Sequence, residues 1–318
     1  MDMGKIYELP TRTLGAMLED KARKNGEKPL VYFEDRVVSY KELNKGANKV
    51  AQGFLDMGIG KGSKVCMMLP NCIDFLYILC GLSKLGAVTV PLNTAHKGSI
   101  LQYMINHSDA TMIVADKRYL DSIKFIENEL SNITTLILHP NKEDIPKFRF
   151  DTYSYQELLT SQAQLPAVDI ELSDPLVMTF TSGTTGPSKG VIWPYNLLIW
   201  VAEQWVKGMR VTPNDVYYSW TPLFHMIGLG WFATALLADA AIAIVERFSL
   251  RRFWDDIRKY KATITSLLPM AMELVYRQPE KEDDDASSLR AVMAGPIPKR
   301  IHRAFEKRFG VVLVNDMA

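Results

Sequence analysis

The run Leu176-Val177-Met178-Thr179-Phe180 is followed by Thr181-Ser182-Gly183-Thr184-Thr185-Gly186-Pro187-Ser188-Lys189-Gly190 and then by apolar Val191-Ile192. The first segment has the length and composition of a buried strand. In the second, alternating hydroxyls and glycines let the backbone bend tightly and turn several N–H and O–H groups inward, the arrangement a polyphosphate needs. Lys189 closes the stretch with a mobile point charge for phosphate oxygens. Composition alone also allows a flexible Gly/Ser/Thr surface loop. A Walker A loop fails on spacing: it requires G-x-x-x-x-G-K-[ST], whereas Pro187-Ser188 separate Gly186 from Lys189. Kinase-like or GTPase-like chemistry loses its main support with it.

Upstream, the pattern alternates between helix and strand. A helix is expected from about Leu14 to Lys24, then short strands at 31–33 and 37–39 joined by Glu34-Asp35. Ser39 is placed to cap a helix in which Leu43, Ala47, Val50, Ala51 and Phe54 recur at helical spacing, with Gly58 at its stop. Strands at 64–69, 87–90, 111–115 and 134–138 alternate with helices at 73–85, 99–106 and 119–130. Such alternation argues for crossover units and a parallel sheet covered on both faces. Residues 139–174, with Pro140, Pro146 and Pro166, read as a long connection carrying one short helix near 154–160.

Downstream, the greasiest stretch runs from Ile227 to Val245. Asp239 interrupts it after 12 residues, against about 20 needed to span a bilayer, so it reads as a buried helix followed by a buried strand. The acidic run at 278–288 lacks the glycine a calcium loop requires and reads as a solvated loop. The chain of 318 residues is 47% hydrophobic, enough for a large core. With 37 Lys plus Arg against 36 Asp plus Glu, its net charge of +1 gives no global field for nucleic acid. Cys66, Cys72 and Cys80 lack metal or redox spacing and read as buried thiols in a reducing compartment. The first residues contain no secretory apolar run, so a cytoplasmic location is expected.

The stretch 181–190 resembles the phosphate-loop signature T-S-G-T-T-G-x-P-K-G of the AMP-forming adenylating enzymes, matching nine of ten positions and departing at Ser188. These enzymes include acyl-CoA synthetases of fatty acid metabolism, luciferases and peptide-synthetase adenylation domains. Ser39-Tyr40-Lys41-Glu42-Leu43, Gly58 to Val65, Asn71-Cys72 and Gly86 to Asn93 resemble the family's N-terminal domain, so the likeness covers nearly the whole chain. Pro222-Leu223-Phe224-His225-Met226-Ile227-Gly228 resembles its P-x-F-H-x-x-G segment, whose His lines or gates the acyl pocket. Ser288-Leu289-Arg290 with Ala294-Gly295-Pro296-Ile297-Pro298 resembles the strand and turn that present backbone to adenine. Within the family the chain looks most like the crotonobetaine/carnitine-CoA ligase branch.

The resemblance implies an α/β fold of two stacked sheet-and-helix subdomains, residues 1–54 with 206–318 and residues 55–205, incomplete at the C-terminus. It implies an acid–thiol ligase: activation of a small-molecule carboxylic acid by ATP to an acyl-adenylate, then thioester formation with coenzyme A. Thr181, Ser182, Gly183, Thr184, Thr185, Gly186 and Lys189 would hold the phosphates, with Thr184 toward Mg2+. Gly295, Pro296, Ile297 and Pro298 would meet adenine. Phe224, His225 and Gly228 would line the acid pocket, with His225 as the catalytic candidate. In the family pattern the magnesium Glu, a ribose Asp and a C-terminal domain carrying a catalytic Lys follow the position of Ala318, so these residues alone are expected to be inactive. Exposed apolar surface is expected to promote association, for example as a homodimer. Two rival readings are a nucleotide-binding or interaction module without catalysis, and an adenylating enzyme serving a carrier-protein thiol.

Overall fold

The computed structural model describes residues 13–141, 145–159, 165–181 and 188–315. Local signals set the helix ends. In α1 (Leu14–Asn25) the Thr13 hydroxyl accepts the Ala16 N–H and Gly26 terminates the helix. In α2 (Tyr40–Asp56), Ser39 and Glu42 form a reciprocal capping box, satisfying two otherwise orphaned donors. Gly58 then takes φ +82°, a left-handed turn that side-chain-bearing residues rarely adopt. The expected apolar stripe of α2, Leu43, Ala47, Val50, Ala51 and Phe54, is fully buried.

Two seven-stranded sheets organise the described residues. One runs β14 (Val312–Asn315), β13 (Ala291–Ala294), β12 (Ile264–Ser266), β10 (Val216–Ser219), β11 (Ala241–Ile244), β1 (Pro29–Phe33), β2 (Arg36–Ser39). The other runs β7 (Asp151–Ser154), β6 (Thr135–His139), β5 (Met112–Asp116), β3 (Lys64–Met68), β4 (Val88–Pro91), β8 (Pro175–Phe180), β9 (Gly190–Pro194). All neighbouring pairs are parallel except β1–β2 and β8–β9, the two antiparallel edges.

Strand alternation sorts side chains into layers. Val65 and Met67 of β3 and Ile242 and Ile244 of β11 enter one central core, shared with α1, α2, α3 (Ile73–Lys84), α7 (Tyr195–Gly208) and α8 (Met226–Leu237). Cys66 and Met68 point the other way, under α4 (Gly98–Ser108) and α5 (Leu120–Ile126). Tyr218, Ala243 and Val245 point outward on the first sheet, under α9 (Phe253–Lys259), α10 (Pro269–Tyr276) and α11 (His302–Phe309). The result is five layers, helices alternating with sheets. The stretch from 227 to 245 forms α8 and β11, and residues 228–237 of α8 are buried on every side.

Two sequence expectations need correction. Besides the expected short helix, α6 (Tyr155–Leu158), the connection at 139–174 contains β7, which pairs parallel with β6. Its pattern Asp-Thr-Tyr-Ser is too polar to read as a strand, and only the ladder to an apolar neighbour supports it. The acidic stretch is also not wholly solvated: Asp284 is buried and pairs with Arg308 at 2.7 Å. Cys66 and Cys80 are buried, Cys72 partly so, and burial pushes all three thiols up to about 12.

Candidate functional site

The chain crosses from one side of a sheet to the other at β3, which lies between β4 and β5, and at β10, which lies between β11 and β12. In parallel α/β sheets such switch points open a crevice beyond the carboxyl ends of the strands. Here the two crevices lie against each other, because the residues following β3 bond to those following β10 and β11.

A cleft of about 760 Å³ opens between the ends of β4, β8 and β9 and the turn before α8. Thr181, Ser188, Trp193, Tyr103, Phe224 and His225 line it. The hairpin β8–β9 brings the described ends of the hydroxyl-rich stretch, Thr181 and Ser188, to this point. The Thr181 N–H donates to the Lys189 carbonyl at 3.1 Å, and the Lys189 N–H donates to Thr181 Oγ1 at 3.2 Å. Thr181 therefore pins the two ends of the stretch together, and Lys189 stands exposed beside it. Ser182, Gly183, Thr184, Thr185 and Gly186 lie outside the described residues.

On the facing wall, His225 caps α8: its Nδ1 accepts the Ile227 N–H at 3.2 Å. Desolvation lowers its pKa below the usual imidazole value. A ring that is neutral and accepts at Nδ1 carries its proton on Nε2, so His225 offers the cleft an uncharged N–H donor. Phe224 lines the same cleft. Gly228 does not. It is a spacer behind the wall, where a β-carbon would come within 2.6 Å of the Pro222 carbonyl oxygen.

A second cleft, about 510 Å³, opens at the carboxyl ends of β10, β12, β13 and β14, lined by Trp220, Thr221, Leu267, Met293, Gly295 and Pro296 among others. Gly295 and Pro296 thus occupy a cavity. Ile297 and Pro298 turn away from it, Ile297 toward the outer core and Pro298 onto the face carrying Met270 and Arg300. No Asp, Glu, Lys or Arg is among the described lining residues of either cleft.

Sequence reading did not find several cleft residues. His96, Tyr103 and Trp193 line the larger cleft, and the buried His96 Nδ1 has no hydrogen-bond partner among the described residues. Thr221, 5% exposed, brings an equally unpartnered hydroxyl to the smaller one. Orphaned polar atoms in a cavity are what a ligand would satisfy. No sequence signal marked them, since each stands alone in its segment.

Beside the clefts lies a charged cluster of a different kind. His139, at the end of β6, meets Asp116 at 3.3 Å and Asp74 at 3.0 Å. Burial alone would lower its pKa, but Asp116 and Asp74 more than offset this and hold it at about 9. Arg118 clasps Asp116 at 2.9 Å and reaches Glu246, beyond β11 of the other sheet, at 2.7 Å. Desolvation of Asp116 is outweighed by its bonds to His139 and Arg118, which hold its carboxyl well below the usual range.

Residues 18–316 match the family model described as AMP-binding enzyme. The chain belongs to the AMP-binding enzyme family. Among its relatives, the crotonobetaine/carnitine–CoA ligases of Salmonella paratyphi B and Salmonella typhi are each 30% identical over 315 residues, covering 96% of this chain and 60% of the relative. This AMP-binding family member therefore spans about 60% of the length of the curated relatives it matches. Its fold is that of the N-terminal domain of FACL13 from Mycobacterium tuberculosis, with a TM-score of 0.85 at 23% identity, covering 96% of this chain and 75% of that one. A Mycobacterium tuberculosis fatty acyl CoA synthetase superposes with a TM-score of 0.84 at 21% identity, over 98% of this chain and 60% of that one. The expected two-sheet architecture of an adenylate-forming N-terminal domain is thereby borne out.

Proposed function

We propose that this chain is the nucleotide-binding part of a ligase that activates a carboxylic acid with ATP to an acyl-adenylate and passes the acyl group to coenzyme A. One observation carries the reading. The hairpin β8–β9 brings the ends of the Thr181–Lys189 stretch to the rim of the larger cleft, facing His225, in a member of the AMP-binding family.

The chemistry accounts for what the cleft supplies. A carboxylate is a poor acyl donor because its oxygen is a poor leaving group. Attack of a carboxylate oxygen on the α-phosphorus of ATP forms the carboxyl–phosphate bond and breaks the bond to pyrophosphate, leaving a mixed anhydride. A thiolate then adds to the acyl carbon and expels AMP. Positioning and preorganised donors contribute most to the first step. In this proposal the backbone and hydroxyls of 181–186 hold the departing phosphates and Lys189 offsets their charge. Neutral His225 donates from Nε2 to the acid oxygen, and a lining with no acidic side chain among its described residues does not repel the incoming carboxylate. Gly295 and Pro296 border the cavity assigned to adenine.

Among the described residues no group of three His, Cys, Asp or Glu side chains could hold a metal ion. Thr184, the magnesium candidate, lies outside them, so no step is routed through the ion. The subdivision into 1–54 with 206–318 and 55–205, and a homodimeric state, belong to the same proposal. No described helix is long and apolar enough to cross a membrane.

Calorimetric titration of ATP into the 318-residue chain tests the nucleotide assignment. Binding is expected, and Lys189→Ala should weaken it at least about tenfold, hydrogen bonds to charged groups being worth about 1.5–3 kcal/mol. Absence of heat from ATP in the unaltered chain overturns the reading.

A further inference from the structure

We propose that Asn71 is the positioning residue of the candidate site: its amide spans the gap between the two sheets and fixes the turn that carries Phe224 and His225.

The geometry is complete on both sides of the amide. Asn71 follows β3 at one switch point and is 5% exposed. Its Nδ2 donates to the Thr221 carbonyl at 3.1 Å and to the Val245 carbonyl at 3.0 Å. Its Oδ1 accepts the Leu223 N–H at 2.7 Å. Thr221 and Val245 lie just past β10 and β11, so one side chain satisfies backbone groups at the ends of two adjacent strands of the opposite sheet. Those groups are buried away from water, and leaving each unpaired would cost a desolvation penalty.

The third bond reaches the functional turn. Leu223 precedes Phe224 and His225, and the turn is closed by the His225 N–H donating to the Pro222 carbonyl at 3.0 Å. Gly228 permits the first turn of α8 to pack on that carbonyl. These two contacts hold the turn to its own helix, whereas Asn71 holds it to the other sheet, where Thr181, Ser188 and Trp193 form the facing wall. The distance between the walls is thus set through Asn71. Only an amide supplies two donors and one acceptor at this reach. Aspartate, of the same shape, would turn a second oxygen on two carbonyls, and glutamine would carry the group one methylene too far.

The consequence for catalysis rests on the reading that the larger cleft holds the reacting acid, but the test does not. The chain has five histidines; His107 packs on Tyr103 and Phe180 of the cleft lining, whereas His302, on α11, lines neither cleft and serves as the internal reference. In Asn71→Asp, the His225 Cε1–H resonance should move while that of His302 stays. A folded Asn71→Asp chain with an unmoved His225 signal overturns the proposal. If the variant fails to fold, hydrogen exchange in the unaltered chain decides. The Leu223 amide should exchange at least about 10³-fold slower than in a free chain, as groups exposed only by large-scale unfolding do, and exchange near the free-chain rate overturns the assignment. An unaltered chain that binds no ATP would sink the ligase reading while leaving both of these measurements intact.

Discussion

His139 and His225 both stand beyond the carboxyl edges of the sheets, and their surroundings drive them in opposite directions. His139 is enclosed by Asp74 and Asp116 and is held protonated up to about 9. His225 meets one backbone N–H and no carboxylate within bonding distance among the described residues, and desolvation keeps it neutral. One region gathers charge and satisfies it internally, joining strands and, through Arg118 and Glu246, the two sheets. The other has no charged side chain among its described lining residues and leaves polar atoms unpartnered. A cluster whose charges are matched within itself offers little to a ligand. The cleft walls, with an uncharged N–H at His225 and unpartnered polar atoms at His96 and Thr221, offer more.

The sharpest way to break this contrast is to remove the paired cation. His139→Gln removes the cation between Asp74 and Asp116, leaving Arg118 on Asp116 and no cation on Asp74 among the described ion pairs, and should destabilise the fold by about 3 kcal/mol, read from urea unfolding. The pH dependence of stability is the next test. The folded pKa of His139 lies above its ordinary value, so the stability it brings is complete below about 6.5 and is lost as pH rises through about 9. Asp116 behaves oppositely: its contribution is present above 3.8 and lost as pH falls below that value. Unfolding midpoints should therefore decline on the alkaline side, and His139→Gln should flatten that decline. The smallest effect belongs to the other histidine. His225→Ala loses one capping acceptor and should cost at most about 1 kcal/mol. Equal losses from the two substitutions would erase the distinction between a structural and a ligand-facing imidazole.

Much of the fold is legible in the sequence because it rests on short-range signals. The capping box at Ser39, the stop at Gly58 and the alternation from β3 to β6 all appear where local pattern places them. β7 escapes because its polar residues become a strand only beside β6. The hydroxyl-rich stretch and the Phe224–His225 turn are readable as motifs, and the structure brings Thr181, Ser188, Phe224 and His225 to one cleft. The division of the 294–298 turn is not readable, since which of Gly295 to Pro298 faces the cavity depends on how β13 packs. Asn71 is visible as a residue, but its partners lie 150, 152 and 174 positions away. The charged cluster likewise assembles from three separate strand–helix units.

The helices between the sheets belong to neither sheet alone. Because α1, α2, α3, α7 and α8 share one core with strands of both, the inner face of each sheet is covered by helices that also press on the other. Melting either half would strip the interior from its neighbour, so the two behave as a single foldon, and a change made at one end of the molecule is paid in stability across its whole width.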